Sequence, residues 1–396
     1  GYTGLNAAIE IAKNGRNVCV IDKNDFGCGC SSKNGGQISN LLKPSLKKLT
    51  KKYGFQKAKL IRGEGVNSVE WLIDFIKNEN FDCDLKREGR FHGAHTPFEF
   101  KKMVSESNDL KENEGIETQI IDKSDQKNEI NSDLYHGGVV FPQHASLNAA
   151  KYHKDLIEKA IGLGVSVISN CEMVDFKKKL DEFSVLTNKG PLTASNLVVA
   201  TNGYTSNVTP WLNKRNIPIG SYVIATEELP INYISSLFPT NRHITDTCRV
   251  VYYFRPSPDR KRIIFGGRVS SREISLSKSA PLLLKDLKRV FPNLPELKIS
   301  HSWMGYVSYT FDHLPHTGSE DGLYYSMGYC GSGIALSSYL GMKLGKKVIG
   351  DNDGTTAFDS LKFPTRPFYN GRPWFLPAVV ELYKFRDSRE MIKYMN

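Results

Sequence analysis

The hydrophobic pattern at the start of the chain predicts a helix followed at once by a buried strand. Apolar side chains recur at helical spacing over residues 5–14, and a glycine ends the pattern. The β-branched run at residues 16–21 is typical of a strand inside a parallel sheet. The chain therefore opens with α/β character.

Comparable patterns return further along the chain, separated by less regular sequence. They predict a helix at 148–163, strands at 165–169, 172–177, 183–187 and 196–200, and a strand, glycine-rich turn and helix at 323–327, 328–333 and 334–349. A helix-rich insertion is expected at about 46–131. The segment from 218 to 302 is β-rich, with candidate strands at 221–227, 250–255 and 262–267. Two domains with alternating segments fit this order.

The first unit carries residues suited to a dinucleotide. Gly1 and Gly4 precede the helix, and Asp22 ends the strand about 20 residues later. Close glycines let a helix N-terminus meet a pyrophosphate, and the acid holds a ribose hydroxyl. Neither Met nor a preceding strand opens the sequence, so we expect a fragment that begins inside its own cofactor loop and binds the cofactor weakly.

Composition narrows the class of protein. No run of 18 apolar residues occurs, so no membrane-spanning helix is predicted. The seven cysteines are odd in number, scattered and without a CxxC pair, which argues against disulfides and metal sites and indicates the cytoplasm. The net charge of +11 suits either an anionic partner or a lysine-rich solvated surface. Its densest run, at 43–59, accompanies no nucleic-acid module, so we expect no nucleic-acid partner.

Further motifs agree with the first one in order. A loop at 27–40 reads GCGCSSKNGGQISN, and DHLP at 312–315 leads to GYCGSG at 328–333. Together with the opening GYTG, they resemble the D-amino-acid-oxidase-like family of FAD-dependent oxidoreductases, most of all its gamma-glutamylputrescine oxidoreductase group. The resemblance reaches GRPWFLP at 371–377. It implies non-covalent FAD, because Gly305 occupies the position of the flavin-linking cysteine of sarcosine-oxidase-like members.

The resemblance also implies a set of cofactor-binding residues. The opening glycines would face the pyrophosphate, and the acid at the end of the first strand would bind the ribose. The loop at 27–40 and the turn at 328–333 would contact the phosphate and the flavin. The residues are Gly1, Gly4, Asp22, Lys23, Ser31, Ser32, Gly35, Gly36, Gln37, Val174, Ala200, Gly328, Gly331, Ser332, Gly333 and Ile334. The alternatives are an ordinary turn for the loop, strand packing for Val174 and Ala200, and a simple N-cap for Ser332.

Substrate-facing residues follow from the same resemblance. Arginines that clamp a carboxylate in glycine-oxidase-like members are replaced by Val307 and Gly331, so an amine in an aromatic slot is favoured over an α-amino acid. Candidates for the catalytic wall are Tyr306, Tyr309 and His313, with Tyr252 as a further wall residue. His313 and His316 are equally interpretable as structural histidines. Arg268 suits either a distal anionic group of the substrate or a surface salt bridge.

These expectations combine into one hypothesis. The fold is α/β: an FAD-binding Rossmann-like domain (1–45, 140–205, 305–355) interleaved with a mixed antiparallel-sheet substrate domain (46–139, 206–304) and a C-terminal tail (356–396). The activity is oxidation of the C–N bond of a primary or secondary amine by hydride transfer to FAD, with oxygen or another acceptor as partner. The alternatives are an amino-acid oxidase of the same family and a non-catalytic electron-transfer flavoprotein.

Overall fold

The computed structural model describes residues 1–394 and contains ten helices within them. In chain order they are α1 (Tyr2–Lys13), α2 (Leu46–Tyr53), α3 (Phe55–Asn78), α4 (Pro97–Glu114), α5 (Ala149–Gly162), α6 (Pro210–Asn213), α7 (Ile231–Leu237), α8 (Leu276–Val290), α9 (Gly333–Val348) and α10 (Leu376–Lys393).

Eighteen strands lie in the same described residues. They are β1 (Cys19–Ile21), β2 (Gln37–Ile38), β3 (Arg90–Gly93), β4 (Gln119–Ile121), β5 (Gly138–Phe141), β6 (Ala145–Ser146), β7 (Ser166–Ile168), β8 (Met173–Lys179), β9 (Glu182–Thr187), β10 (Gly190–Ala194), β11 (Leu197–Val199), β12 (Ile217–Thr226), β13 (His243–Asp246), β14 (Tyr253–Pro256), β15 (Ile263–Gly267), β16 (Ile299–Tyr309), β17 (His316–Glu320) and β18 (Leu323–Met327).

One layer of the molecule is built from parallel strand pairs covered by helices. β1 runs parallel to β7, and β11 runs parallel to β18. α1 packs against α5 and α9, and its apolar face, which includes Leu5 and Ile9, is buried. Gly341 lets α9 approach α1 closely, because a Cβ there would collide with the backbone of Thr3. This is the helix and strand order that the sequence predicts for the first and last units.

The two parallel pairs both contribute to one cavity. Among the described strands, β7 is the single hydrogen-bonded neighbour of β1, and β18 that of β11. Val20 on β1 and Val198 on β11 line the same cavity.

The second layer is an eight-stranded sheet in the order β16-β12-β15-β14-β13-β3-β5-β4. All its pairs are antiparallel except β13 with β3, so the sheet is mixed. One face packs on α8 through a core that contains Phe91, Phe254, Phe265, Leu283 and Leu287, all fully buried. The opposite face is the floor of the cavity.

The mixed α/β architecture expected from the sequence is confirmed, and several boundaries require correction. The insertion at 46–131 is helix-rich as expected, with α2, α3 and α4, and it also contains β3 and β4, which join the large sheet. That sheet also crosses the proposed limits at 139/140 and 304/305, since β5 and β16 belong to it. The division into two interleaved domains stays a proposal, with these strands assigned to the substrate domain.

The C-terminal segment contains a helix that the sequence analysis did not foresee. Residues 356–396 were expected to form a tail, yet 18 of them form α10. In the described part of the chain, no helix has both the length and the apolar character needed to cross a membrane.

Candidate functional site

A single cavity of about 2270 Å³ joins the segments that the sequence analysis selected. Its walls come from the N-terminus of α1, the end of β1, the loop at 27–40, the end of β11 and the turn before α9. The cavity face of the large sheet and part of α10 complete it. Segments more than 300 residues apart in sequence therefore meet around one enclosed space.

The first glycine loop places a bare helix N-terminus on the cavity wall. α1 begins after Gly1 with no side-chain cap and no acidic residue in its first turn. The N–H of Tyr2 points to Ser31 Oγ at 3.3 Å, and a Cβ on Gly1 would lie 2.7 Å from that oxygen. Gly4 faces Ala200, with 3.4 Å between the two Cβ positions. Gly1 is needed because the loop at Ser31 approaches this closely, whereas a Cβ on Gly4 would make an ordinary contact with Ala200.

The polar residues after β1 also line the cavity. Asp22 and Lys23 lie at the carboxyl end of the strand, where ligands bind in parallel sheets. An Asp22 carboxylate oxygen accepts a hydrogen bond from the N–H of Asn24 at 3.1 Å, which fixes its orientation.

The loop at 27–40 divides into lining and supporting residues. Ser31, Gly35 and Gln37 line the cavity. Ser32 and Gly36, expected at the cofactor, are not among its walls: Ser32 donates its hydroxyl to the Gly27 carbonyl. Gly36 has φ +69°, and a Cβ there would collide with the Leu147 carbonyl oxygen. Both residues therefore determine the path of the loop and do not form part of the cavity wall.

The turn before α9 gives a second bare helix N-terminus. Gly331, Ser332, Gly333 and Ile334 line the cavity, and no atom lies within 4 Å of a Cβ built on Gly333. Ser332 does not cap the helix, because its hydroxyl donates to the Leu41 carbonyl at 2.8 Å. The backbone N–H groups of α9 therefore face open space.

Two expected cofactor residues lie elsewhere. Gly328 (φ +83°) packs against Thr310, outside the cavity walls. Val174 is 52% exposed and faces away, whereas Met173 lines the cavity. A register shift between Met173 and Asp175 occurs at this point of β8. The expected contact of the Val174 backbone with the cofactor stays a prediction.

The predicted aromatic wall is present. Tyr306, Tyr309 and His313 all line the cavity, and the His313 ring lies edge-on to Tyr309 with centroids 5.8 Å apart. The Tyr306 hydroxyl donates to Glu273 at 2.8 Å, and burial together with this carboxylate raises the pKa of Tyr306 to about 12. Tyr252 is not a wall residue: it packs against Phe265, and its neighbour Tyr253 lines the cavity instead.

The histidines of the DHLP segment have different surroundings. His313 has φ +60°, and its side chain is exposed to the cavity while protein surrounds it. Burial, with a contribution from Lys43, lowers the pKa of His313 below its ordinary value. His316 is buried, stacked on Phe363 at 4.0 Å and hydrogen-bonded to Asp312, so it is a structural histidine.

The two positions at which glycine-oxidase-like members carry a clamping arginine hold a valine and a glycine in this chain. Val307 and Gly331 both line the cavity. Arg268 reaches it too, but its guanidinium donates to the carbonyls of Gly220 and Ser271 at 2.8 and 3.0 Å. It therefore serves the local backbone and forms no surface salt bridge with a described residue.

The cysteines nearest these groups are poor nucleophiles. Cys30 lines the cavity beside Gly305, where a Cβ would lie 2.7 Å from its sulfur. Burial raises the pKa of both Cys30 and Cys330 to about 11. A thiol rather than a thiolate at both positions accords with a cofactor held without a covalent bond.

Sequence reasoning missed several cavity residues. Lys43, Arg90 and His92 line it, and Leu376 and Val380 of α10 cover part of it. The period-2 pattern around Arg90 and His92 was the available sequence signal, but β3 has four residues and lies in a segment taken as helical.

Comparisons with known proteins agree with this geometry. The family model described as DAO, FAD dependent oxidoreductase, matches residues 1–346. The chain is 29% identical to Gamma-glutamylputrescine oxidoreductase of Escherichia coli, over 98% of this chain and 91% of the relative. It is 27% identical to Probable oxidoreductase OrdL of Haemophilus influenzae, over 98% of this chain and 90% of that relative.

Solved structures share the fold. Glycine oxidase from Geobacillus kaustophilus superposes with a TM-score of 0.76 at 18% identity, covering 93% of this chain and 96% of that one. L-proline dehydrogenase from P. horikoshii superposes with a TM-score of 0.72 at 18% identity, covering 96% of each chain.

Proposed function

Because the chain belongs to the DAO family of FAD-dependent oxidoreductases, we propose that it oxidises the C–N bond of a primary or secondary amine. The substrate class is a polyamine or a gamma-glutamyl amine. The observation that carries the proposal is the wall of Tyr306, Tyr309 and His313 in the same cavity as the glycine-rich turn, with no arginine at Val307 or Gly331. Such a wall suits an amine and offers no clamp for an α-carboxylate there.

The residues present fit FAD. Two helix N-termini without side-chain caps, those of α1 and α9, face one cavity. Each offers free backbone N–H groups and the positive end of a helix dipole, which favour anionic groups. Gly1 and Gly4 would hold the pyrophosphate, Asp22 the ribose, and Gly331 to Ile334 the pyrimidine side of the flavin.

Bound FAD would supply the hydride acceptor for oxidation of the carbon next to the amine nitrogen, which gives an imine that water hydrolyses. The task of the chain is to bind the amine in its uncharged form and to orient it. His313, with its lowered pKa, is neutral at pH 7 and can accept a proton from the substrate ammonium. Glu273 fixes the Tyr306 hydroxyl, so the ring is held as a rigid side of the slot.

α10 closes the substrate side of the cavity. Leu376, Val379, Val380 and Tyr383 line it from this helix. An apolar cover limits water near the reacting atoms, which favours the uncharged amine and strengthens electrostatic interactions inside.

One relative with a substrate in its name supports the gamma-glutamyl-amine class. Gamma-glutamylputrescine oxidoreductase aligns with 98% of this chain. The final electron acceptor in our proposal is oxygen or another small acceptor.

Product analysis tests the proposal. The FAD-supplemented protein should convert gamma-glutamylputrescine or a polyamine to an aldehyde with release of ammonia or an amine. Formation of 2-oxo acids from amino acids, with no aldehyde from any amine, would favour the amino-acid oxidase alternative. No product from either class, with flavin reduction only in the presence of a protein partner, would favour the electron-transfer alternative.

A further inference from the structure

We propose that Arg90 and Lys43, with His92 beside them, form a subsite for a carboxylate carried by the substrate at a distance from its reacting amine. The subsite rests on the proposed function, because it specifies the amine class as one that bears a carboxylate. The ligand chemistry is an N-acyl diamine or ω-amino acid rather than a simple polyamine.

The alternation of β3 brings two of these side chains to the cavity. Arg90 and His92 lie on its cavity face, and Phe91 lies fully buried in the core behind the sheet. Their direct neighbours on β5 are Phe141 and Val139, which also line the cavity. The position is fixed by the sheet, so the guanidinium is presented from a rigid element.

Arg90 is a cation without a counterion. No carboxylate among residues 1–394 forms an ion pair with it, and its buried Nε has no hydrogen-bond partner. Its guanidinium lies over the Phe141 ring, 4.7 Å from the centroid. Burial lowers the pKa of Arg90 to about 10. A buried charge with unused donors is costly unless a ligand pairs with it.

Lys43, on the loop between β2 and α2, adds a second cation to the wall of the same cavity. Its side chain is exposed to the cavity while protein surrounds it, and burial together with Arg90 lowers its pKa. Within residues 1–394 it forms no ion pair. Its charge also contributes to the lowered pKa of His313, which lines the same cavity.

The neighbouring histidines do not supply the positive charge. Burial lowers the pKa values of His92, His144 and His243, and the positive charge of Arg90 lowers them further. Their rings are therefore neutral at pH 7. His92 Nδ1 lies 2.8 Å from Thr245 Oγ1, which fixes its ring. His92 therefore contributes a hydrogen-bonding nitrogen to the subsite, and Arg90 and Lys43 contribute the charge.

Acidic groups on α4 do not neutralise this pair. Of those that reach the cavity, Glu99 and Glu114 pair with Lys102 and Arg62. Glu106 and Asp109 are exposed, and neither carboxylate contributes to the lowered pKa of Arg90 or of Lys43. Two adjacent cations attract a carboxylate, and a guanidinium can bind one bidentately.

A matched pair of substrates tests the subsite: gamma-glutamylputrescine and its carboxamide, which differ only in the carboxylate. The ratio of their second-order rates of anaerobic flavin reduction should be at least about 10 in the unmodified chain. Arg90→Gln and Lys43→Gln should each bring the ratio toward 1, and Arg90→Lys should preserve part of it. Lys51→Gln removes an exposed lysine of α2 outside the cavity and should leave the ratio unchanged.

A binding measurement separates the subsite from the reaction. Glutarate, which has no amine, should bind by calorimetry, more weakly at high salt and far more weakly in Arg90→Gln. If Arg90→Gln does not fold, the glutarate affinity of Lys43→Gln tests the subsite instead, because Lys43 lies on a loop and its substitution should leave the fold intact. Amine-driven flavin reduction with a ratio near 1 in every variant would overturn the subsite and leave the proposed function standing. Arg90-dependent glutarate binding without reduction by any amine would overturn the function and support an anion subsite.

Discussion

At the residue scale, a buried ion pair holds the segment between the aromatic wall and the final glycine turn. Asp312 Oδ1 lies 3.0 Å from His316 Nε2, and the two side chains are 10% and 1% exposed. Burial alone would raise the pKa of Asp312. The hydrogen bond and charge of His316, with a smaller contribution from Lys52, outweigh burial and bring the pKa below its ordinary value. A depressed carboxyl pKa stabilises the fold at pH values above the unfolded pKa.

Asp312→Asn should therefore lower the free energy of unfolding by about 1–3 kcal/mol at pH 7. The difference from the unmodified chain should shrink as the pH falls through the lowered pKa of Asp312, because the carboxylate is then protonated. Urea unfolding at several pH values measures this. Asp321→Asn, at an exposed pair with Lys178, is the control and should change stability by less than about 0.5 kcal/mol. Equal effects of the two variants would contradict the argument.

His313 gives a prediction about pH. Its lowered pKa means that the neutral ring persists below pH 6.5 and is lost only at more acidic pH. As the proton acceptor, it should produce an acid limb in the rate of flavin reduction. His313→Asn, which tolerates the positive φ, should reduce the rate about 100-fold and remove that limb. His301→Asn, at an exposed position outside the cavity, should do neither. An acid limb that survives in His313→Asn would assign the proton transfer to another group.

Individual residues were predictable where function requires a fixed spacing. Gly1, Asp22 and Gly331 lie at the cavity as expected, because glycine and acid positions follow from the order of helix and strand. Arg90 could not be found this way, since its neighbours on β5 and β13 are about 50 and 150 residues distant. Val174 was expected from the family resemblance to meet the cofactor through its backbone, and this stays a prediction, although its side chain lies outside the cavity walls.

At the element scale, the loop at 27–40 depends on one residue for its path. Gly36 has φ +69°, and a Cβ there would collide with backbone at Leu147 and with Arg255. Gly36→Ala should destabilise the protein by about 3 kcal/mol or more through backbone strain and overpacking. Gly63→Ala in α3, with no atom within 4 Å, should be neutral or stabilising by up to about 1 kcal/mol. Thermal unfolding of both variants measures the contrast, and similar values would refute the strained turn.

α10 is attached to the substrate domain by a charged latch, here defined as Arg249, Asp387 and Glu390. Arg249 donates to Asp387 at 2.8 Å and to both oxygens of Glu390 at 2.8 and 2.9 Å. Asp387 is buried and also accepts from the N–H of Val250 at 3.0 Å. The latch therefore holds the cavity-lining face of α10 in place.

Arg249→Met should loosen the helix and raise KM more than it lowers kcat, because α10 shapes the cavity without containing a reacting group. Amide hydrogen exchange in α10 should accelerate, and the loss of the latch should cost about 1–3 kcal/mol. Arg386→Gln, an exposed position on the same helix, is the matched control. Unchanged exchange in Arg249→Met would show that apolar packing alone holds the helix.

Regular elements were predicted from the sequence better than marginal ones. The helices now seen as α1, α5 and α9 carry clear apolar faces and were expected. α10 exposes Phe385 and Ile392, so its periodicity is blurred. β3 is too short for period-2 alternation to be recognised.

At the scale of the whole molecule, function depends on two layers that enclose one cavity. The parallel pairs and their helices supply the glycine loops, the large sheet supplies Tyr306, Tyr309 and Arg90, and a loop supplies Lys43. The family resemblance noted from the sequence is confirmed by the match over residues 1–346. The shared cavity could not be derived from sequence spacing, because it depends on how the interleaved segments pack.

The most direct test of the central claim is anaerobic titration of the FAD-supplemented protein with gamma-glutamylputrescine, followed by the absorbance of the oxidised flavin. We predict complete loss of the yellow band at one equivalent of amine per bound flavin and recovery on admission of oxygen or another acceptor. Protein-bound flavin that stays oxidised with this amine, with polyamines and with amino acids would contradict an enzyme that oxidises C–N bonds.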